Sequence, residues 1–344
     1  MTGQRSEIRA GHSVHRKTTP EKLFRRMLWG NLRIYRSALM GKQRQLLSEL
    51  MEIDNKFGFD RIGIDMAKRR YGMDEDKITR FQKEGRGQGL GAEYKPWLTV
   101  QDVSSLGRST RIHSHKTGRE HHLLSDIETA VFLLLEWSDQ VIDIREQFPL
   151  DRDETRRIAA DMGVRHPVDT QSRTDIVMTT DFVANVRQGN ATTLVARSVK
   201  PAGELDKDRT LEKQEIERRY WAAKDVDWGL ITEQDFPKQR IKTLGWLHEM
   251  HSLEHIAAPY AGYWEDRCNK LLTCLLQETG MTIKRFIQHL ENTQGFATGE
   301  ALTVIRHLAA NKKISIDLDM RFDMASLVSV LGIATVGLSN RKIA

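Results

Sequence analysis

The stretch TTLVARSVKP, residues 192–201, alternates apolar with small or polar side chains, reaches Lys200 at its end and is closed by Pro201. A period of two marks a strand, and a proline that cannot donate to the ladder marks its limit. Eleven positions before it lies Asp181, inside a second strand-like run over residues 177–186. Gly189-Asn190 between the runs is a hairpin signal, so the two strands should lie side by side and bring Asp181 close to Lys200. Further back, residues 123–137 place Leu124, Ile127, Val131, Leu134 and Leu135 at helical spacing, with Ser125 or Asp126 as the cap. Glu128 falls beside that apolar stripe, at the edge of a buried face where a carboxylate needs a partner.

A carboxylate on a helix, an aspartate on one strand and a lysine at the end of the next is the order found in metal-dependent nucleases of the PD-(D/E)xK class. The chemistry explains the residue types. Hydrolysis of a phosphodiester brings water to an anionic phosphorus, which calls for a divalent metal to neutralise charge and lower the pKa of the water. Hard cations take oxygen ligands, which Glu128 and Asp181 supply, and Lys200 would hold or deprotonate the water. The spacing alone is a weak signal. Asp and Lys on neighbouring strands coincide often by chance, and Glu128 reads equally as a surface glutamate paired with an arginine.

A long collinear set of motifs adds to it: EGRGQG at 84–89, PWLTVQ at 96–101, SHKTGR at 114–119, HHLLSD at 121–126, DIREQFPL at 143–150, TTDF at 179–182, VKP at 199–201, and RTLEK with ERRYW within 209–221. On these, residues 66–248 resemble the TnsA subunit of heteromeric DNA transposases. The resemblance implies an α/β fold with a restriction-endonuclease-like core and a mostly helical, winged-helix C-terminal domain. It implies a Mg2+-dependent endonuclease, with Mn2+ able to substitute, that cuts the 5′ ends of a transposon. Its partners would be double-stranded DNA, a 3′-end transposase subunit and an ATPase regulator of transposition. The implied catalytic residues are Glu128, Asp181 and Lys200.

One position departs from the family pattern. Two residues before the lysine the family has an acid or an amide, and this chain has Ser198. A serine hydroxyl is a neutral, weaker metal ligand, so the expectation is either assistance from another carboxylate, Glu212 or Glu215, or a catalytically impaired architectural subunit that keeps DNA and partner binding.

The 344-residue length fits two domains and an extension: 1–65, 66–250 and 251–344. No run approaches the roughly 20 apolar residues of a membrane span, and the reading is a cytoplasmic protein. A formal charge of +6 favours a polyanionic partner. Cys268 and Cys274 make neither a zinc pair nor a disulfide framework and read as reduced, partly buried thiols. Residues 1–65 hold about twice as many basic as acidic residues. They read either as a DNA-binding arm or as an extension upstream of a natural start at Met66.

GRGQGLG at 85–91 is expected to be a flexible arm that reaches DNA through Arg86, since no Lys-Ser/Thr pair follows to make a phosphate loop. Residues 107–122 form a basic loop in which Arg108, Arg111, Lys116 and Arg119 would contact phosphates. Its four histidines are too irregularly spaced for zinc. His121 and His122 precede the Glu128 helix and could face the site. Residues 141–148 form a strand in which Glu146 breaks the alternation, making Glu146 and Gln147 candidates for supporting the metal site or touching DNA. The charged helix 209–224 offers a solvated face, with Arg218 and Arg219 as DNA contacts. Helices over 263–277, 282–291 and 299–310, then Ile314, Ile316 and Leu318 in alternation beside Lys312 and Lys313, carry the winged-helix expectation. Residues 325–343 read as a partner-docking tail.

Overall fold

A computed structural model describes residues 72–103, 108–277 and 280–333. The N-terminal extension, the proposed start at Met66 and the last part of the expected tail lie outside the described residues.

The centre is a four-stranded sheet in the order β3-β4-β5-β6, formed by β3 (Val141–Pro149), β4 (Thr179–Gln188), β5 (Ala191–Val199) and β6 (Asp227–Ile231). β3, β4 and β5 pair antiparallel, and β5 pairs parallel with β6. The β4–β5 connection is the two-residue Gly189-Asn190 turn, with Gly189 at φ +60°, where a residue without Cβ is unstrained. The side-chain alternation sorts the sheet's two faces. Phe182, Ala184, Val186, Val195 and Val199 join one core, while Val183 and Ala196 join the other.

The first face is covered by α2 (Asp126–Trp137) and α5 (Lys238–His248). The second is covered by α3 (Arg152–Asp161) and α4 (Asp208–Ala222), the latter forming the crossover between the parallel strands. A smaller cluster joins Ile78 and Phe81 of α1 (Glu75–Lys83) to Trp97 and Val177. After α5 come α6 (Tyr263–Gln277), α7 (Ile283–Thr293) and α8 (Glu300–Ala310), then two-residue strands β7 (Ile314–Ser315) and β8 (Gly332–Ile333) that pair antiparallel. The apolar cluster on the first face runs on without a break into Leu271, Phe286, Leu290, Val304 and Leu308 of these helices. Among the described residues no helix is long and apolar enough to cross a membrane. Cys268 and Cys274 are free thiols on α6, half-buried and buried.

Two expectations about local structure are corrected. The glycine-rich stretch is a strut rather than a flexible arm. Arg86 donates to Asp102 Oδ2 at 2.6 Å and to the Trp97 carbonyl, and its guanidinium lies 3.5 Å from the Phe81 ring centroid. At Gly87, φ is +79° and a Cβ would sit 2.2 Å from Pro149 Cγ, so the glycine is required by close approach of this turn to the end of β3. The basic loop is a hairpin of β1 (Thr110–His113) and β2 (Glu120–Leu123). Its alternation was hidden because charged and histidine side chains occupy both faces.

Candidate active site

Glu128 enters the site through the capping of α2. Ser125 Oγ accepts the Glu128 N–H at 3.1 Å, and the carboxylate turns back to accept from Ser125 Oγ at 3.0 Å and from Leu124 N at 2.9 Å. The reciprocity resembles a capping box and fixes a buried carboxylate at the helix start. Burial, reinforced by Asp181, pushes its pKa up to about 7.

Asp181 projects from β4, buried, with Oδ2 accepting the Val199 N–H at 2.6 Å and Lys200 Nζ at 3.0 Å. Lys200 follows the last residue of β5 and also donates to the Val199 carbonyl at 2.7 Å. Burial alone would lower the pKa of its ammonium, but Asp181, Glu217 and Glu128 outweigh that and hold it above the ordinary lysine value. The three predicted catalytic residues, carried by α2, β4 and the end of β5, thus meet in one cluster. Gln147 joins them: its Nε2 lies 3.3 Å from Glu128 Oε2 and 3.4 Å from Asp181 Oδ1.

The carboxylate missing at Ser198 is present in space. Ser198 Oγ donates to Glu217 Oε2 at 2.7 Å, and Glu217 Oε1 accepts from Thr180 Oγ1 at 2.6 Å and Trp228 Nε1 at 3.1 Å. Burial, then the charge of Asp181, raises the Glu217 pKa to about 7. The expectation that Glu212 or Glu215 assists is corrected. Glu212 accepts from Arg209, and Glu215 is held by Arg218 and Arg219. Glu217 was legible in principle: it stands four residues before Trp221, on the side of α4 that buries Ile216, Tyr220 and Trp221, where an acid must have partners.

Glu128 and Asp181 bring carboxylate oxygens to either side of the Gln147 amide, a donor type that suits a hard divalent cation. Among the described residues no three His, Cys, Asp or Glu side chains form a ready-made metal cluster. Magnesium commonly takes one or two protein carboxylates and completes its shell with water and substrate oxygens, so Glu128 and Asp181 are the residues that would hold it.

The predicted DNA contacts separate into two groups. Arg108 and Arg111 are exposed and face solvent beside Asp126 and Glu120. Arg219 is tied to Glu215 on α4 and Lys116 is partly buried, lining a cavity of about 210 Å³ with His115, Glu136, His248 and His251, and none of Glu128, Asp181 and Lys200 lines it. Arg119 is a correction. Its guanidinium is buried, bonded to both oxygens of Glu146 and to the carbonyls of Ile144 and Gly91. Burial would raise the pKa of Glu146, yet hydrogen bonds from Arg119 and His121 hold it at about 2. Glu146 and His121 therefore serve this buried pair and do not face the carboxylate cluster. Lys312 lies in the turn between α8 and β7 as expected, and its side chain donates to the Trp137 carbonyl.

Comparison with known proteins identifies the family. A family described as TnsA-like endonuclease N terminal matches residues 138–233, and one described as TnsA endonuclease C terminal matches residues 235–318. The first match begins after α2, so the place of Glu128 rests on the geometry above. The chain is 43% identical over 258 residues to the transposon Tn7 transposition protein TnsA of Escherichia coli, covering 75% of this chain and 91% of that protein. The matches run from the nuclease sheet through the C-terminal helices, and the chain belongs to the TnsA family of endonucleases.

Proposed function

We propose that this chain is the magnesium-dependent endonuclease subunit of a heteromeric transposase, cutting the 5′ ends of a transposon beside a separate subunit that acts on the 3′ ends. The observation that carries the reading is the convergence of Glu128, Asp181 and Lys200 from three elements, with Glu217 beneath Ser198. A divalent cation held by Glu128 and Asp181 would supply charge neutralisation at the phosphate and a more acidic water. Lys200, kept protonated by the surrounding carboxylates, donates to the attacking water or to a phosphate oxygen and stabilises the charge that builds there. Arg108 and Arg111 are the exposed cations of the hairpin and would track the DNA backbone.

The C-terminal part, residues 251–344, is proposed as a winged-helix domain that receives an ATPase regulator. Three helices followed by the short β7–β8 pair support that reading. The alternative, an architectural subunit, follows from Ser198 standing where an acid is usual, and Glu217 argues against it by restoring the charge.

The test is strand-specific cleavage of DNA carrying transposon ends, in Mg2+ or Mn2+, with and without the 3′-end subunit. Cleavage of the 5′ strand that disappears in Lys200→Ala supports the nuclease. Binding without cleavage under every metal and partner condition would leave the architectural role.

A further inference from the structure

We propose that Gln147 is a positioning residue that holds Glu128 and Asp181 at the spacing a divalent cation needs, an inference that rests on the nuclease reading above. The register on either side, Glu146↔Phe182 and Phe148↔Thr180, sets Gln147 across from Asp181 on the neighbouring strand. Its backbone has left the ladder: φ is +48°, unusual for a residue with a Cβ. Its carbonyl accepts the Trp97 N–H at 3.1 Å, and Tyr94 donates its hydroxyl to the neighbouring Glu146 carbonyl at 3.1 Å. The N-terminal segment thus fixes the backbone of both residues from outside the sheet. Backbone strain of this kind persists where surrounding structure over-determines it.

The result is a buried amide whose two N–H groups are directed at two different carboxylates, Glu128 Oε2 and Asp181 Oδ1. The orientation of that amide is not interchangeable. Turned over, it would present a carbonyl oxygen to both acids. In the orientation seen, Oε1 accepts from Thr179 Oγ1 at 3.1 Å. One neutral group therefore separates two like charges and gives each a donor, without adding a charge that would compete with a cation. Groups that orient metal ligands in this way typically change metal affinity 10- to 100-fold when removed.

The experiment compares the native chain with Gln147→Met, similar in length and lacking donors, and with Thr179→Val, which removes only the group that pins the amide. Calcium binding to the full chain is read by calorimetry, alongside the Mg2+ concentration that half-saturates cleavage. The expected result is a loss of calcium affinity and a rise in half-saturating Mg2+ of about 10-fold or more in Gln147→Met. Thr179→Val should shift both in the same direction by less, with its cleavage rate at saturating Mg2+ within about threefold of native. Calcium affinity unchanged within about twofold in both variants overturns the proposal, as does a fallen saturating rate with unchanged metal dependence. If Gln147→Met does not fold, Thr179→Val decides alone. Calorimetry keeps the two readings apart, since a native chain that binds calcium but cuts no DNA removes the nuclease reading and leaves the role of Gln147 to be judged on binding.

Discussion

The Ser198 hydroxyl donates to the Glu217 carboxylate at 2.7 Å, across from strand β5 to helix α4. A buried acid from another element thus stands at the position where the sequence has Ser198. Glu217→Gln keeps the size of the side chain but removes its charge and turns one accepting oxygen into a donor. It should lower 5′-strand cleavage by about 100-fold, whereas Ser198→Ala should cost less than about tenfold. Single-turnover cleavage rates for the two variants check the order.

Installing the family's acid directly should fail for the same reason. Ser198→Glu forces a second carboxylate against Glu217 in a fully buried position. A loss of about 3 kcal/mol in stability is expected, larger at pH 8 than at pH 5. Urea unfolding at both pH values reads it, and the double change Ser198→Glu with Glu217→Ser should recover part of the loss.

The pH dependence of the metal-free protein follows from opposed groups. Glu128 and Glu217 have folded pKa values raised to about 7 from 4.5, so the folded state binds more protons between those values and stability falls as pH rises from about 5 to 7. His115, His248 and His251 have pKa values lowered by burial, the last to about 4, so stability also falls as pH drops below about 6.5. Glu146, held at about 2, and Lys200, raised above 10.5, do not titrate in this window. Melting curves should therefore peak near pH 6, and 5 mM Ca2+ should raise the midpoint at pH 8 far more than at pH 5. A metal-induced shift of equal size at both pH values would contradict the assignment of Glu128.

Two arginines of the hairpin region should behave in opposite ways. Arg119→Ala strips the buried Glu146 of its guanidinium partner, leaving only His121 and the His122 N–H beside it, and should cost about 3 kcal/mol. Arg111 is exposed and paired only across the hairpin with Glu120, so Arg111→Ala should change stability by less than about 0.5 kcal/mol. It should weaken DNA binding and reduce the slope of log affinity against log salt by about 1. Chemical denaturation and a salt titration of DNA binding separate the two.

Much of the fold could be read from the chain because the decisive elements have strong periodicity. The β4–β5 hairpin, its Gly189-Asn190 turn, the Glu128 helix and the three C-terminal helices lie within about three residues of where the patterns put them. Asp181, Glu128 and Lys200, which the fold brings into one cluster, could be picked out because each ends or interrupts such a pattern. Glu217 was missed because α4 is charged along its whole length and buries Glu215 as well as Glu217 beside Ile216, Tyr220 and Trp221, so its apolar side is hard to see. Arg119 misled for a related reason. A basic residue in a basic run reads as a phosphate contact, and only the depth of Glu146 beneath it shows that its charge is already satisfied. The role of Gln147 depends on a backbone angle that no pattern of residue types announces.

The apolar cluster that passes from the sheet through α2 and α5 into α6–α8 gives the carboxylate-bearing sheet and the C-terminal helices one continuous core. Leu244 and Leu247 of α5 sit at the join, where Arg306 of α8 donates to the Trp246 carbonyl and His307 Nδ1 donates to the Met250 carbonyl just beyond the helix. A protein that grips the C-terminal helices would therefore hold the blade as well as the handle, and could aim it at one strand without touching the carboxylates.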